Sequence, residues 1–139
     1  MPKKVRGWYY NPPKQKVDKS TKEEIKKKCD KFIESVLKPR FISDEQSSLD
    51  SSLDESYVID IYSKWWNNFI YFYAKYKDTR PQAIEPTYNW KLARIEYLKE
   101  NKYNLAYFRH TGKWWVIFYE ISLEECVEAI EDMPHFHPY

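Results

Sequence analysis

Few residues of this chain are of a type and spacing that could do chemistry. His135 and His137 stand two apart near the C-terminus, with Cys126 upstream. Imidazole nitrogen and thiolate sulfur are zinc ligands, but this spacing matches no common structural zinc site. The tail "HFHPY" therefore reads as Phe136 packed against the body between exposed imidazoles, and neither metal nor cofactor is expected. The carboxylate pairs Glu124/Glu125 and Glu131/Asp132 fall in one helical stretch and read as charged helix surface. With 2 glycines the chain has neither a dinucleotide-binding fingerprint nor a P-loop. It also has no nucleophile elbow and no H-E-x-x-H pair. An enzyme ranks behind binding functions, since no constellation meets a stated geometric requirement.

Aromatic residues are what the chain has in excess: 13 Tyr, 7 Phe and 6 Trp, 19% of the whole. Rings favour strands and bury large areas, so the expected core is a ring-faced sheet. Two tryptophan pairs, Trp65–Trp66 and Trp114–Trp115, sit in strand-like segments. Successive strand residues point to opposite faces, so each pair puts one indole on each side of the sheet. Helices can cover one side. The other needs the N-terminal arm, a second copy or a different partner, unless the sheet curls and buries its own rings. Clustered exposed rings mark interaction sites. The candidate partner-binding residues are therefore Trp65, Trp66, Arg109, His110, Lys113, Trp114 and Trp115. Arg109 and His110 can meet a phosphate, although a solvated turn is the plainer reading.

The net charge of +2 conceals an asymmetry: residues 1–40 carry +8, residues 41–56 carry −5 and the remainder −1. Lys3, Lys4, Arg6, Lys14 and Lys16 interleave with Trp8, Tyr9 and Tyr10, and Lys26, Lys27 and Lys28 continue the charge. Cations meet phosphates and rings stack on unpaired bases. A nucleic-acid module built on this arm and the first helix is thus the alternative function. A solvated lysine-rich helix face is its bland counterpart.

These groups must be positioned by elements with legible boundaries. Residues 1–19 read as a basic aromatic arm and residues 20–139 as one domain. In "STKEEIKKKCDKFIESVLKP", Ile25, Cys29, Phe32, Ile33 and Val36 form a stripe at helical spacing. Ser20 or Thr21 would cap it, Glu23 and Glu24 would occupy its first turn, and Pro39 would end it. Residues 43–56 are acidic, serine-rich and without an aromatic, and read as a flexible loop. From Tyr57 the period becomes 2. "YVIDIYSKWW", "FIYFYAKYK", "WKLARIEYL", "YNLAYFRH" and "KWWVIFYE" predict five strands. Asn67–Asn68, residues 99–102 and His110-Thr111-Gly112 are the tight turns, with Gly112 supplying a positive φ. The stretch 78–89, with Pro81 and Pro86, is the long connection. In "SLEECVEAIEDM", Ser122 and Glu125 form a capping box before the stripe Leu123, Cys126, Val127, Ile130. The expected fold is α+β: a helix, a five-stranded antiparallel meander and a second helix, with both helices on one sheet face. Cys29 and Cys126 read as two reduced thiols, a bridge between the helices being the alternative.

The strings "ARIEYL", "YNLAYFRHTGKWW" and "SLEECVEAIEDMPHFHP" resemble a small uncharacterised bacterial family of cyanobacterial type; "GWYYNPP" and "CDKFIESVLKP" resemble it too. A more distant likeness is to a bacterial domain of unknown function with aromatic strands, a Lys-Trp pair and a closing Leu-Glu-Glu helix. The resemblance implies a cytoplasmic bacterial protein and transfers no catalytic residue. No stretch approaches the ~20 apolar residues of a membrane span, and no signal-peptide core is present. The leading expectation is a non-enzymatic interaction or accessory protein that binds an unknown protein or itself through the aromatic face and the 109–115 hairpin. Nucleic-acid binding comes second. Small-ligand binding by a curved aromatic sheet, or an unrecognised enzyme, comes third.

Overall fold

The computed structural model describes residues 16–42, 56–78 and 86–138. The N-terminal arm up to residue 15, most of the acidic loop (43–55), the proline-containing stretch 79–85 and Tyr139 lie outside the described residues.

Five antiparallel strands follow one another in space as in sequence: β1 (Ser56–Trp66), β2 (Phe69–Asp78), β3 (Thr87–Lys99), β4 (Lys102–Phe108) and β5 (Trp114–Ile121). The expected meander is the observed one. Its three described tight turns depend on positive φ, with Asn67 at 53°, Asn101 at 58° and Gly112 at 86°. Asn tolerates this region and Gly enters it without steric cost. In the last turn, Gly112 N–H donates to the Arg109 carbonyl at 2.8 Å, and Arg109 N–H to the Lys113 carbonyl at 2.8 Å.

Helix α1 (Lys19–Phe32) begins two residues earlier than a Ser20 cap would place it. Its cap is Asp18, whose carboxylate accepts from Thr21 N–H at 2.7 Å. Ser20 and Thr21 lie inside the helix, and no acid falls in its first turn. Pro39 does not end the helical run either. A π-helical turn over Ile33–Leu37, in which Lys38 N–H reaches the Ile33 carbonyl, precedes a short α2 (Lys38–Phe41) containing Pro39. Proline lacks an N–H and crowds the carbonyl four residues back. The wider turn takes up that misfit, so the chain continues instead of breaking. Helix α3 (Leu123–Asp132) has the expected capping box, Ser122 Oγ accepting from Glu125 N–H and Glu125 Oε1 from Ser122 N–H.

All three helical segments serve one sheet face. Ile25, Cys29, Ile33 and Leu37 from the first run and Leu123, Cys126 and Ile130 from α3 are buried in one cluster. The sheet contributes Ile61, Ile70, Phe72, Ala74, Tyr76, Leu92, Ala93, Ile95 and Leu105 to it. In β2 the alternation is complete, with Ile70, Phe72, Ala74 and Tyr76 buried and Phe69, Tyr71, Tyr73 and Lys75 only partly so. A bulge opposite Phe72/Tyr73 buries both Leu92 and Ala93 and keeps Lys91 and Arg94 on the side facing away from the helices.

Helix α1 is fastened to β1 by its own lysines. Lys26 Nζ donates to Ser63 Oγ at 2.9 Å and the Ser63 carbonyl at 3.1 Å, and pairs with Asp30 at 3.0 Å. Ser63, itself buried, donates to Asp30 at 2.6 Å. A serine turned into the core is acceptable because this network satisfies it.

Candidate functional site

The tryptophan pairs divide between the faces as alternation requires. Trp65 points to the helices: its indole N–H donates to the Lys22 carbonyl at 3.1 Å, and the Lys22 ammonium lies 5.5 Å from its ring centroid. Trp66 points the other way and is 65% exposed. In the second pair Trp114 joins the open face. Trp115, opposite Tyr107, belongs to the helix side but lies beyond the helices' cover at 52% exposed, with the Arg109 guanidinium 4.8 Å from its ring. The sequence-predicted partner residues therefore do not form one site. Trp66 and Trp114 line one cleft on the open face. Trp65 is a packing residue, Arg109 and Trp115 form a separate pair, and His110 and Lys113 are exposed in the hairpin turn.

What surrounds Trp66 and Trp114 is set by register. Trp66 is opposite Phe69, Lys64 opposite Tyr71, Tyr62 opposite Tyr73, and on the next strand Arg94 is opposite Tyr71 and Lys91 opposite Tyr73. The rings run as a continuous series. Tyr62 stacks on Tyr73 at 5.3 Å, Tyr73 on Tyr71 at 6.1 Å, Tyr71 meets Trp114 edge-on at 5.6 Å, and Trp114 meets Phe108 at 5.3 Å. Tyr71 and Trp114 belong to β2 and β5, which are three strand positions apart. Arg94 on β3 and Ala106 on β4 stand in the row that continues from Tyr71. Cations lie among the rings. Arg94 is 4.7 Å from Phe69 and 5.0 Å from Trp114, and Lys91 is 4.5 Å from Phe108. Lys64, Trp66, Tyr71, Tyr73, Lys91 and Trp114 line a shallow cleft of about 270 Å³. Burial raises the Tyr62 and Tyr73 phenols above the ordinary tyrosine value, Asp60 adding to the first and Tyr62 to the second, so both remain protonated hydrogen-bond donors. Tyr62 donates to Asn89 at 3.0 Å.

Tyr71, Tyr73, Lys64, Lys91 and Arg94 are not among the residues that the sequence singles out. The signal that could have found them is the alternation in "FIYFYAKYK", which places Tyr71, Tyr73 and Lys75 on the face that Trp66 takes.

The remaining candidates are dispersed. Lys3, Lys4, Arg6, Trp8, Tyr9, Tyr10 and Lys14 lie outside the described residues, and Lys16 is exposed just before α1. Cys126 is fully buried beneath the sheet and its thiol is pushed up by burial, while Cys29, also buried and unbridged, is pushed up to about 12, chiefly by burial with Asp30 adding. Phe136 is buried, as the tail reading expects. His135 is exposed with its ring against Tyr107, and His137 Nε2 lies 3.0 and 2.9 Å from the Ile130 and Glu131 carbonyls at the end of α3. Among the described residues no three potential metal ligands converge.

A larger cleft of about 430 Å³ lies between α1, the β3–β4 turn and α3, lined in part by Lys28, Tyr97, Tyr103 and Glu124. Burial holds the Tyr103 phenol far above the ordinary value, so it is no base at neutral pH. Among the described residues no helix is long and apolar enough to cross a membrane. No curated protein and no solved structure matches the chain. A family model matches residues 17–138, all of the helices and strands described above, and on that match the chain belongs to the family described as a domain of unknown function, DUF3024.

Proposed function

We propose that this protein works by binding rather than catalysis, as a cytoplasmic accessory protein whose contact surface is the open face of the sheet. One observation carries the reading: a continuous series of rings from Tyr62 to Phe108, with Trp66 exposed at its side, lies on the face away from the core cluster. Keeping clustered rings in water forgoes hydrophobic stabilisation, which a surface serving only solubility would not do. The two buried, unbridged thiols suit a reducing compartment. Arg109 and Trp115 offer a smaller contact at the β5 edge.

The test compares what tagged wild-type and variant proteins retain from the native host's lysate, with and without nuclease treatment. Trp66→Ala combined with Lys91→Gln should lose the retained macromolecule, while Lys27→Gln with Lys28→Gln on α1 should keep it. Equal retention by both variants would place the working surface elsewhere.

A further inference from the structure

Resting on that reading of the open face, we infer that its ligand is single-stranded nucleic acid, held by ring stacking and by phosphate contacts from the lysines and arginine among the rings.

The chemistry of the face separates this occupant from the others. Its cations are Lys64 on β1, Lys75 and Lys77 on β2, and Lys91 and Arg94 on β3, each placed there by alternation and register. On the same three strands its carboxylates are Asp60 and Glu96. Asp60 is paired with Lys38 at 3.2 Å, and Glu96 is only 8% exposed and accepts from Asn104 at 3.3 Å. On these three strands the accessible charge is therefore positive and interspersed with rings. A second copy docked face to face by a two-fold axis would set this positive face against an equally positive one. The N-terminal arm up to residue 15 carries four cations and no carboxylate, so it is repelled in the same way. A protein partner suits the rings and Arg94, but it would have to cover four lysines, a residue depleted at interface centres.

A single strand satisfies both halves of the surface at once. Its phosphates complement the cations, and its bases have π-faces that any exposed ring can stack on. Trp66 beside the cleft of about 270 Å³ offers an indole with one free side, next to the ammonium groups of Lys64 and Lys91. A duplex keeps its bases stacked on one another and can use only the charges.

The experiment is fluorescence anisotropy of the full-length protein with labelled 12-nucleotide dT and U strands, repeated across a salt series and with an unlabelled duplex as competitor. Saturable binding to a single strand, with the duplex competing at least ten-fold less well, is expected. DNA and RNA arms then show which backbone is preferred. Trp66→Ala should weaken binding about ten-fold, within the range for losing one base stack. Lys64→Gln with Lys91→Gln should weaken it similarly and reduce the salt slope by about 0.7 for each phosphate no longer neutralised. Both variants alter exposed or half-exposed groups, and an unchanged melting curve verifies their folding. Equal competition by duplex, or binding that survives the open-face variants but disappears when Lys3, Lys4, Arg6, Lys14 and Lys16 become Gln, overturns the inference. If neither strand binds while face-dependent capture persists in nuclease-treated lysate, the ligand is a protein. The inference then fails and the binding face stands. If face-dependent capture fails as well, both readings fail.

Discussion

The two faces of the sheet are built from the same residue types and put them to opposite uses. On the helix side, Tyr76 stacks on Tyr88 at 5.1 Å, Trp65 hydrogen-bonds α1, and Phe72 and Phe136 are fully buried. On the open side, Tyr62, Tyr71, Tyr73, Trp66 and Trp114 remain at least partly in water with cations between them. On the helix side Lys26 is a fastener, bound to Asp30 and Ser63, and Lys22 lies over the Trp65 ring. The open side holds Lys91 and Arg94 over rings, where an ammonium or guanidinium keeps much of its hydration. For an aromatic residue on one of these strands, its row thus decides whether it is core or surface.

The largest test of the contrast is Phe136→Ala. This ring is buried by a one-turn 3₁₀ segment, Pro134–Phe136, that closes the core after α3. Its removal should cost about 3–5 kcal/mol in urea unfolding, as for buried Phe elsewhere. A loss below about 1 kcal/mol would mean that the tail is not part of the core.

The tryptophan pair on β1 sharpens the same contrast at adjacent positions. Trp65→Ala should destabilise by about 2 kcal/mol, since the ring is half-buried and its N–H would forfeit the Lys22 carbonyl. Trp66→Ala should stay within about 0.5 kcal/mol, as for exposed sites generally. Equal effects in thermal or chemical unfolding would abolish the distinction between the faces.

Gly112 tests the turn that brings Trp114 to the open face. Apart from Gly112 itself and its two chain neighbours, no heavy atom lies within 4 Å of where its Cβ would be, so only the backbone at φ 86° penalises a side chain. Gly112→Val should cost about 1–2 kcal/mol, and Gly112→Asn much less, because asparagine tolerates positive φ. Parity between the two would refute the turn geometry.

The smallest effect concerns the helix caps, which lie outside both faces. Hydrogen bonds from Thr21 hold the Asp18 carboxyl below its ordinary 3.8, and bonds from Ser122 hold Glu125 below its ordinary 4.5. A depressed folded-state value stabilises above the unfolded value, and that stabilisation disappears as pH falls through the folded one. Stability should therefore decline slightly below about pH 4.5 as Glu125 and Asp18 protonate. Asp18→Asn with Glu125→Gln should flatten that part of a stability-against-pH curve. An unchanged curve would show that the caps contribute nothing there.

Particular residues show how far the chain can be read before it is folded. The period-2 runs from Tyr57, the Asn and Gly turns and the Ser122–Glu125 box depend on neighbours within four residues. Their reading agrees with the structure for strand order, turns and the second helix. The first helix departs from its reading at both ends because the competing signals are equally local. Asp18 outcompetes Ser20 and Thr21 as cap, and a π turn accommodates a proline that would otherwise terminate the run. The positive φ of Glu120, 54°, has no sequence signal. It sits at a β4–β5 irregularity where the Asn104 side chain accepts its N–H at 3.0 Å, a partner sixteen residues away.

That the tryptophan pairs must straddle a sheet follows from the order of the residues, because strand alternation is a property of the backbone. Which member of each pair is covered does not follow, since it depends on where the helices lie. Nor does the placing of Trp66 and Trp114, 48 positions apart, at one cleft on a face shared with Tyr71, Lys64, Lys91 and Arg94. That grouping depends on the register of four strand pairings and on the bulge opposite Phe72/Tyr73, which keeps Lys91 and Arg94 on the open side. One residue of slip in any of these would turn a row over. The Asn67–Asn68 turn sets the β1–β2 register locally, whereas the bulge opposite Phe72/Tyr73 and the irregular β4–β5 pairing have no local signal.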